Sequence, residues 1–179
     1  MKIISSSFII LLLCAFNTSQ AQTPSNLIIA DYGTISDIDN VVDPDPNLEY
    51  RIVIDLKAVS ADPARINPGL NNIARMLNLH AAGGIETGKI KVVAAIHGSA
   101  TLAVLNDTGY KLKYGINNPN LKLIDQLKSA GVELFVCSQS LIARNNGFDN
   151  VNSHITIALS MLTVVTEHQM KGYGLLVFE

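Results

Sequence analysis

The chain has 179 residues, of which 48% are hydrophobic and 16% are charged, and its formal net charge is −2. A length of this order suits one globular domain, which buries roughly 70% of the surface of its unfolded chain. No basic face is evident, and this argues against nucleic acid as the main partner.

The first 21 residues have the pattern of a secretory signal peptide. Lys2 supplies the positive charge, Phe8–Phe16 forms an apolar core, and Ser19–Ala21 offers a small-x-small cleavage pattern. The apolar run is too short to span a bilayer, which takes about 20 residues. A lipoprotein reading through Cys14 is disfavoured because the residue before it is large. We therefore expect residues 22–179 to be periplasmic or secreted, with no attachment to the membrane after cleavage.

The rest of the chain predicts an extended arm at residues 22–48, with a short strand near Leu27–Ala30, followed by one domain at residues 49–179. Strands and helices alternate along this domain with short links, which predicts an α/β fold with a parallel or mostly parallel sheet between helices. The predicted elements are, in order, a strand at Arg51–Ala58, a helix at Pro68–Ala82, a strand at Lys89–Ile96, a short helix through Leu105, a polar loop with Tyr110 and Tyr114, a helix at Leu121–Ala130, a strand at Val132–Cys137, one or two turns within 139–146, a helix from Ser153 to about Met170, and a strand at Gly174–Phe178.

The helix boundaries rest on capping residues and periodicity. Asn67 suits the cap position before Pro68, and Gly83 suits the end of the same helix. The predicted last helix, from Ser153 to Met170, is rich in Ile, Leu, Val and Met on several sides. Such a helix usually packs against more than one neighbour, so we expect a subunit interface there.

Two predicted strands end in potentially reactive residues, one at His97 and the other at Cys137. Binding sites in open α/β sheets collect at the carboxyl ends of the strands. If the two strands are adjacent and parallel, their ends lie roughly 5 to 10 Å apart. Cys137 is the only cysteine after residue 21, so no disulfide can form within the mature chain. Its thiol is therefore buried and inert, linked to another chain, or retained for chemistry.

Ionisation is the reason to place a basic group beside this thiol. A free cysteine is only about 3% thiolate at pH 7. A neighbouring imidazolium, or the N-terminus of a short helix after Ser138, favours the anion. Cys137 and His97 are thus the candidate catalytic residues, although a packed cysteine and a backbone-bonded histidine remain alternatives. The candidate ligand-binding residues are Gly98, Tyr114, Ser138, Gln139 and Ser140.

Other sites receive little support from the sequence. The four histidines and Cys137 show no close metal-ligand spacing, so we expect no metal. Neither a G-x-S-x-G elbow nor a phosphate-binding G-x-x-x-x-G-K-[ST] loop is present. The glycines near Gly83 follow a helix, whereas a dinucleotide-binding turn follows a strand. We therefore expect no cofactor.

Three segments carry a resemblance to a known family: Val92–Leu105, Asn118–Leu141 and His168–Phe178. Over roughly residues 50–178 the chain resembles the DsrE/DsrF-like (YchN-like) family, and in particular its exported subgroup. The resemblance implies a three-layer α/β/α sandwich with a five-stranded, mostly parallel sheet, assembled into trimers or hexamers. Cytoplasmic members pass a persulfide through a cysteine, and the matching position here is Cys137. His97 matches a histidine at the strand end of exported relatives.

The resulting hypothesis is an exported sulfur-handling protein, in which the Cys137 thiolate accepts or carries a persulfide and His97 tunes its ionisation. Its partners would be other copies of the chain and a sulfur donor or acceptor, either a protein or a small sulfur compound. Whether such a sulfurtransferase-like carrier is an enzyme is left open by the sequence. Two alternatives stay open as well: a non-catalytic oligomeric module that binds a small ligand, and a redox sensor with a reversibly oxidised Cys137.

Overall fold

A single parallel sheet of five strands organises the computed structural model, which describes residues 26–179. The strands lie in the order β4-β3-β2-β1-β5, and every pairing among them is parallel. Their bounds are β1 Tyr50–Leu56, β2 Ile90–Ile96, β3 Glu133–Cys137, β4 Thr156–Ala158 and β5 Gly174–Phe178. The helices are α1 Pro68–Ala82, α2 Asp107–Tyr114, α3 Leu121–Ser129, α4 Ser138–Ala143 and α5 Met161–Met170. The predicted α/β class with five strands is confirmed.

The two faces of the sheet are covered unequally. One face packs against α1 and α3 through a large cluster that contains Ile54, Leu56 and Ile96, all fully buried. The other face packs against α5 through a smaller cluster of Val53, Val93, Ala95, Val164 and Val165, with Phe135 at its border. Burying an Ile or Leu side chain contributes about 1.5–3 kcal/mol, so the α1 and α3 side supplies most of the hydrophobic stabilisation.

The boundaries of α1 confirm the capping prediction. Asn67 has extended backbone angles, and its Oδ1 accepts a hydrogen bond from the amide of Leu70 at 3.1 Å. The Asn67 side-chain amide donates to the carbonyl of Ala58 at 2.8 Å, which ties the helix start to the end of β1. The helix ends at Gly83, whose amide donates to the carbonyls of Leu79 and Ala81.

The arm contains no strand at Leu27–Ala30, so this part of the prediction is wrong. These residues form bends, and Ile29 is buried against α1. The side chain of Asn78 replaces a partner strand: its Oδ1 accepts from the amide of Ile29 at 2.8 Å, and its amide donates to the carbonyls of Ile29, Tyr32 and Gly33. The arm is therefore held by one helix side chain instead of a sheet ladder.

The predicted polar loop around Tyr110 and Tyr114 is helical instead. Asn106 caps α2 by accepting from the amide of Gly109 at 2.9 Å, and Gly115 ends it with a left-handed φ of 75°. The sequence does not show the apolar periodicity of a helix here, because the buried side of α2 is narrow and consists mainly of Gly109 and Tyr110.

The predicted long helix from Ser153 to Met170 is the largest correction. Thr156–Ala158 forms β4, which pairs with β3, and only Met161–Met170 is helical. Ser160 separates the two elements and caps α5, because its Oγ accepts from the amide of Leu162 at 3.2 Å. The β-branched pair Thr156-Ile157 suits a strand, and the unpaired edge of β3 supplies the partner.

None of the helices within residues 26–179 is long and apolar enough to span a membrane. The predicted signal peptide and Cys14 lie outside the described residues.

Candidate functional site

Three side chains that could take part in acid–base or nucleophilic chemistry lie at the carboxyl ends of adjacent strands. Asp55 is in β1, His97 follows β2 and Cys137 ends β3. Asp55 and His97 stand two positions after Val53 and Ala95, which belong to the smaller cluster that faces α5. Cys137 stands two positions after Phe135, which packs against that cluster. Because side chains alternate between the faces of a sheet, all three share the face that α5 covers. The register pairs Ile96 with Val136, so His97 and Cys137 occupy the next position of their neighbouring strands.

Cys137 is buried, with 4% of its surface exposed, yet polar groups surround its sulfur. Its Sγ lies 4.0 Å from the Oγ of Ser160 and is within hydrogen-bonding reach of it. Burial raises the pKa of this thiol, but hydrogen bonds from the Ser140 hydroxyl, the Met161 amide, the Ser140 amide and the Ser160 hydroxyl together lower the pKa below its ordinary value. The site therefore favours the thiolate.

Two helix starts provide these donors. Helix α4 begins directly after Cys137 and supplies Ser140, while α5 begins after Ser160 and supplies the amide of Met161. Free amides in the first turn of a helix carry partial positive charge and stabilise an anion placed near them. The short link from β4 through Leu159 and Ser160 brings the start of α5 beside the end of β3.

His97 is paired with Asp55, a residue that the sequence did not single out. Its Nε2 lies 2.6 Å from Oδ1 of Asp55, and the two side chains are 21% and 24% exposed. The His97 backbone amide continues the ladder by donating to the carbonyl of Leu56 at 3.0 Å. The groups that lower the pKa of Cys137 are hydroxyls and amides, and the imidazole is not among them. Tuning of the thiol by His97 remains a prediction.

The predicted ligand-binding residues divide into two groups. Gly98 and Ser140 meet directly, since the amide of Gly98 donates to the Oγ of Ser140 at 3.1 Å. Ser138 donates to the carbonyl of Leu159 at 2.8 Å, and Gln139 donates to Ser138 at 3.4 Å. Ser138, Gln139 and Ser140 begin α4 directly after Cys137, and Gly98 joins them through its hydrogen bond to Ser140.

Tyr114 lies elsewhere. It ends α2 and packs on the ring of Tyr110, with the ring centres 4.8 Å apart. Both rings join the large cluster on the α1 and α3 side of the sheet, opposite to the face that carries Cys137. The structure therefore does not bring Tyr114 to the thiol.

Sequence reasoning missed Asp55 and Ser160, and each had a usable signal. Asp55 is a carboxylate directly after the apolar run Ile52–Ile54, one residue before the strand ends at Leu56. Ser160 is a favoured cap residue, but the prediction of one long helix concealed it.

The larger cavities lie away from the thiol, along the arm. One of about 450 Å³ is bordered by Ile35–Pro44 and the end of α1, and one of about 800 Å³ lies between residues 26–30 and α3. Within residues 26–179, no group of three or more His, Cys, Asp or Glu side chains is arranged to hold a metal ion.

A comparison with known protein families identifies the family of this chain. The family described as "DsrE/DsrF-like family" matches residues 51–178. The chain belongs to the DsrE/DsrF-like family. This family is associated in general with sulfur relay.

Solved structures agree on the fold of this DsrE/DsrF-like chain. The protein of unknown function MTH1491 from Methanobacterium thermoautotrophicum is 17% identical, with a TM-score of 0.54, and the match covers 72% of this chain and 99% of that one. The YchN protein from E. coli is 18% identical, with a TM-score of 0.51 and the same two shares covered. At these identities the likeness establishes the fold alone. None of the curated proteins matches the chain in sequence.

Proposed function

We propose that this protein accepts and carries sulfane sulfur as a persulfide on Cys137. The observation that carries the proposal is a thiol whose pKa is lowered by hydroxyl and amide donors at the carboxyl edge of the sheet. The association of the family with sulfur relay supports the same chemistry. The protein would act as a sulfurtransferase-like carrier.

The transfer step needs only a nucleophile and a leaving thiol. The Cys137 thiolate attacks the outer sulfur of a donor persulfide, R–S–SH, and a new S–S bond forms on Cys137. The S–S bond of the donor breaks, and its inner sulfur leaves as R–S⁻, which then takes up a proton. Sulfane sulfur changes hands without net oxidation or reduction, so no cofactor takes part. The donors from Ser140, Met161 and Ser160 lower the pKa of the attacking thiol and so raise the fraction of Cys137 that is thiolate.

Mass spectrometry of the intact protein tests this proposal. Wild-type protein treated with polysulfide should gain the mass of one sulfur atom on Cys137, reductant should remove it, and Cys137→Ser should gain nothing. The proposal fails if Cys137 stays unmodified and its alkylation is no faster than that of a model thiol.

The burial of the thiol favours a second candidate. With 4% exposure, Cys137 suits a non-catalytic ligand-binding module in which it serves as packing material. Unchanged ligand binding and stability in Cys137→Ser, together with an unreactive wild-type thiol, would support that module. A redox sensor would instead show reversible oxidation at low peroxide concentration and no sulfur transfer.

We also propose that the chain is exported and works as a homo-oligomer, either a trimer or a hexamer. The signal-like pattern of residues 1–21 supports export. Apolar side chains of α5 support a contact between copies, because Leu162 is 67% and Met170 is 90% exposed. A sulfur donor or acceptor, either a protein or a small sulfur compound, would complete the set of partners.

A further inference from the structure

Asp55 has a position that packing alone does not explain. It is a carboxylate in the interior strand β1, on a face whose neighbouring residues are apolar, and its side chain is only 24% exposed. Removing a carboxylate from water is costly unless a partner compensates for the lost hydration. The partner is His97, whose Nε2 lies 2.6 Å from Oδ1.

This contact favours the tautomer of His97 that carries its hydrogen on Nε2. An ionised carboxylate only accepts hydrogen bonds, so Nε2 of His97 carries the hydrogen. Nδ1 is then the ring nitrogen that carries no hydrogen in the neutral imidazole, and no group among residues 26–179 is hydrogen-bonded to it. Lys57, which directly follows β1, forms a salt bridge with Glu179.

His97 also stands between Asp55 and the thiol. Strand β2 lies between β1 and β3, and His97 continues β2 beside Cys137. Backbones of neighbouring strands are about 5 Å apart, so His97 and Cys137 occupy adjacent strand ends on the same face of the sheet. The lowered pKa of Cys137 has other causes, so His97 is free for a separate task.

We propose that Asp55 is a positioning residue for sulfur transfer, which holds His97 so that Nδ1 protonates the leaving thiolate. This inference rests on the proposed function. In the step, Cys137–S⁻ attacks R–S–SH, the donor S–S bond breaks, and imidazolium Nδ1 gives its proton to R–S⁻. The products are Cys137–S–SH, R–SH and a neutral His97 that keeps its hydrogen on Nε2. Charge and atoms balance, and water returns the proton to His97.

A leaving-group experiment separates this role from a structural one. Asp55→Asn removes the carboxylate at nearly constant size. Asp125→Asn is a matched control, because Asp125 forms a second His–Asp pair within residues 26–179, with His154 at 3.2 Å on the surface. Rates of persulfide transfer to Cys137 would be measured for each with two donors, an alkyl persulfide that leaves as a basic thiolate and an aryl persulfide that leaves as a weakly basic one.

The expected result is a selective loss. Asp55→Asn should slow transfer from the alkyl donor by at least about tenfold, since a positioned acid contributes about 10²-fold or more, and should leave the aryl donor nearly unchanged. Alkylation of Cys137 by iodoacetamide should be unchanged, because its ionisation depends on other groups. Asp125→Asn should match wild type with both donors.

The outcomes distinguish the two proposals. A wild-type Cys137 that accepts sulfur from neither donor overturns the proposed function and this inference with it. Transfer that is unchanged in Asp55→Asn, or slowed equally with both donors, overturns the inference alone. Nitrogen NMR of wild-type protein gives a reading that needs no variant: hydrogen on Nε2 of neutral His97 supports the positioning role, and hydrogen on Nδ1 contradicts it.

Discussion

The acidity of Cys137 arises from neutral groups. Its environment contains hydroxyls of Ser140 and Ser160 and backbone amides of Ser140 and Met161, and these outweigh the effect of burial. Neutral donors stabilise an anion without adding a charge that itself must be solvated. The pKa of Cys137 is therefore lowered without a buried cation beside the sulfur.

Ser140→Ala should raise the pKa of Cys137, because the Ser140 hydroxyl is the largest of the effects that lower it. Only the thiolate is alkylated, so the rate rises with pH and levels off above the pKa. The midpoint for wild type should lie below the ordinary thiol value of 9.0, and Ser140→Ala should move the midpoint upward. Iodoacetamide kinetics across pH measure both.

Ser138→Ala is the matched control for this prediction. Its hydroxyl is two residues away but donates to the carbonyl of Leu159, not to the sulfur. The midpoint of this variant should match wild type. An equal shift in both variants would mean that helix α4 as a whole, and not the Ser140 donor, sets the ionisation.

Among the elements, α1 supports both the sheet and the arm. One side of the helix is buried in the large cluster, and Asn78 on it makes hydrogen bonds to the backbone of Ile29, Tyr32 and Gly33. Gly33 passes so close that an added Cβ would meet the backbone nitrogen of Arg75, and its φ of 65° is one that glycine tolerates. The arm is thus held to α1 by the close approach of Gly33 to the helix backbone and by the side chain of Asn78, without pairing to a strand.

Asn78→Ala should therefore release the arm. Buried backbone groups of Ile29 and Gly33 would lose their partner, at a cost of about 1–3 kcal/mol in the free energy of unfolding. Urea denaturation measures the loss, and limited proteolysis should cut within residues 26–48 faster than in wild type. Asn72→Ala, on the exposed side of the same helix, should change neither reading. Comparable effects in both variants would contradict the prediction.

The sequence predicted elements where local signals agreed with the fold. The cap at Asn67 and the stop at Gly83 set both ends of α1, and the apolar centre of β2 was confirmed as a central strand. The prediction from sequence was wrong at β4, because the three residues Thr156–Ala158 form a strand only by pairing with the open edge of β3. The site followed the same division: Cys137 and Gly98 could be placed from strand ends, whereas the contact between Asp55 and His97 depends on strand order, which no local pattern encodes.

At the scale of the whole molecule, the face covered by α5 is incompletely buried. Besides Leu162 and Met170, the edge strand β5 exposes Leu175 by 40% and Val177 by 50%, and its register puts both on the α5 side. Apolar side chains gathered on one face favour contact with another protein surface. The proposed contact between copies would use this face.

Leu162→Lys should weaken that contact, because it places a charge on the apolar surface of α5. Light scattering coupled to size-exclusion chromatography should show a lower mass than for wild type at equal concentration. Leu112→Lys is the control: Leu112 is 78% exposed but belongs to α2, on the other side of the sheet. A wild-type mass equal to one chain, or an equal change in both variants, would contradict the proposed interface.

The short edge strand β4 has a consequence for the timing of any reaction at the sulfur. It pairs with β3 at three positions, the last of which joins Cys137 to Ala158, and it leads into the Ser160 cap. Fraying of this edge would uncover Sγ, and it would also withdraw the groups from Ser160 and Met161 that make the sulfur acidic. Access to the sulfur and its acidity thus oppose each other, so a reagent that reacts only after the edge has opened would meet a thiol that is less acidic than the one in the closed site.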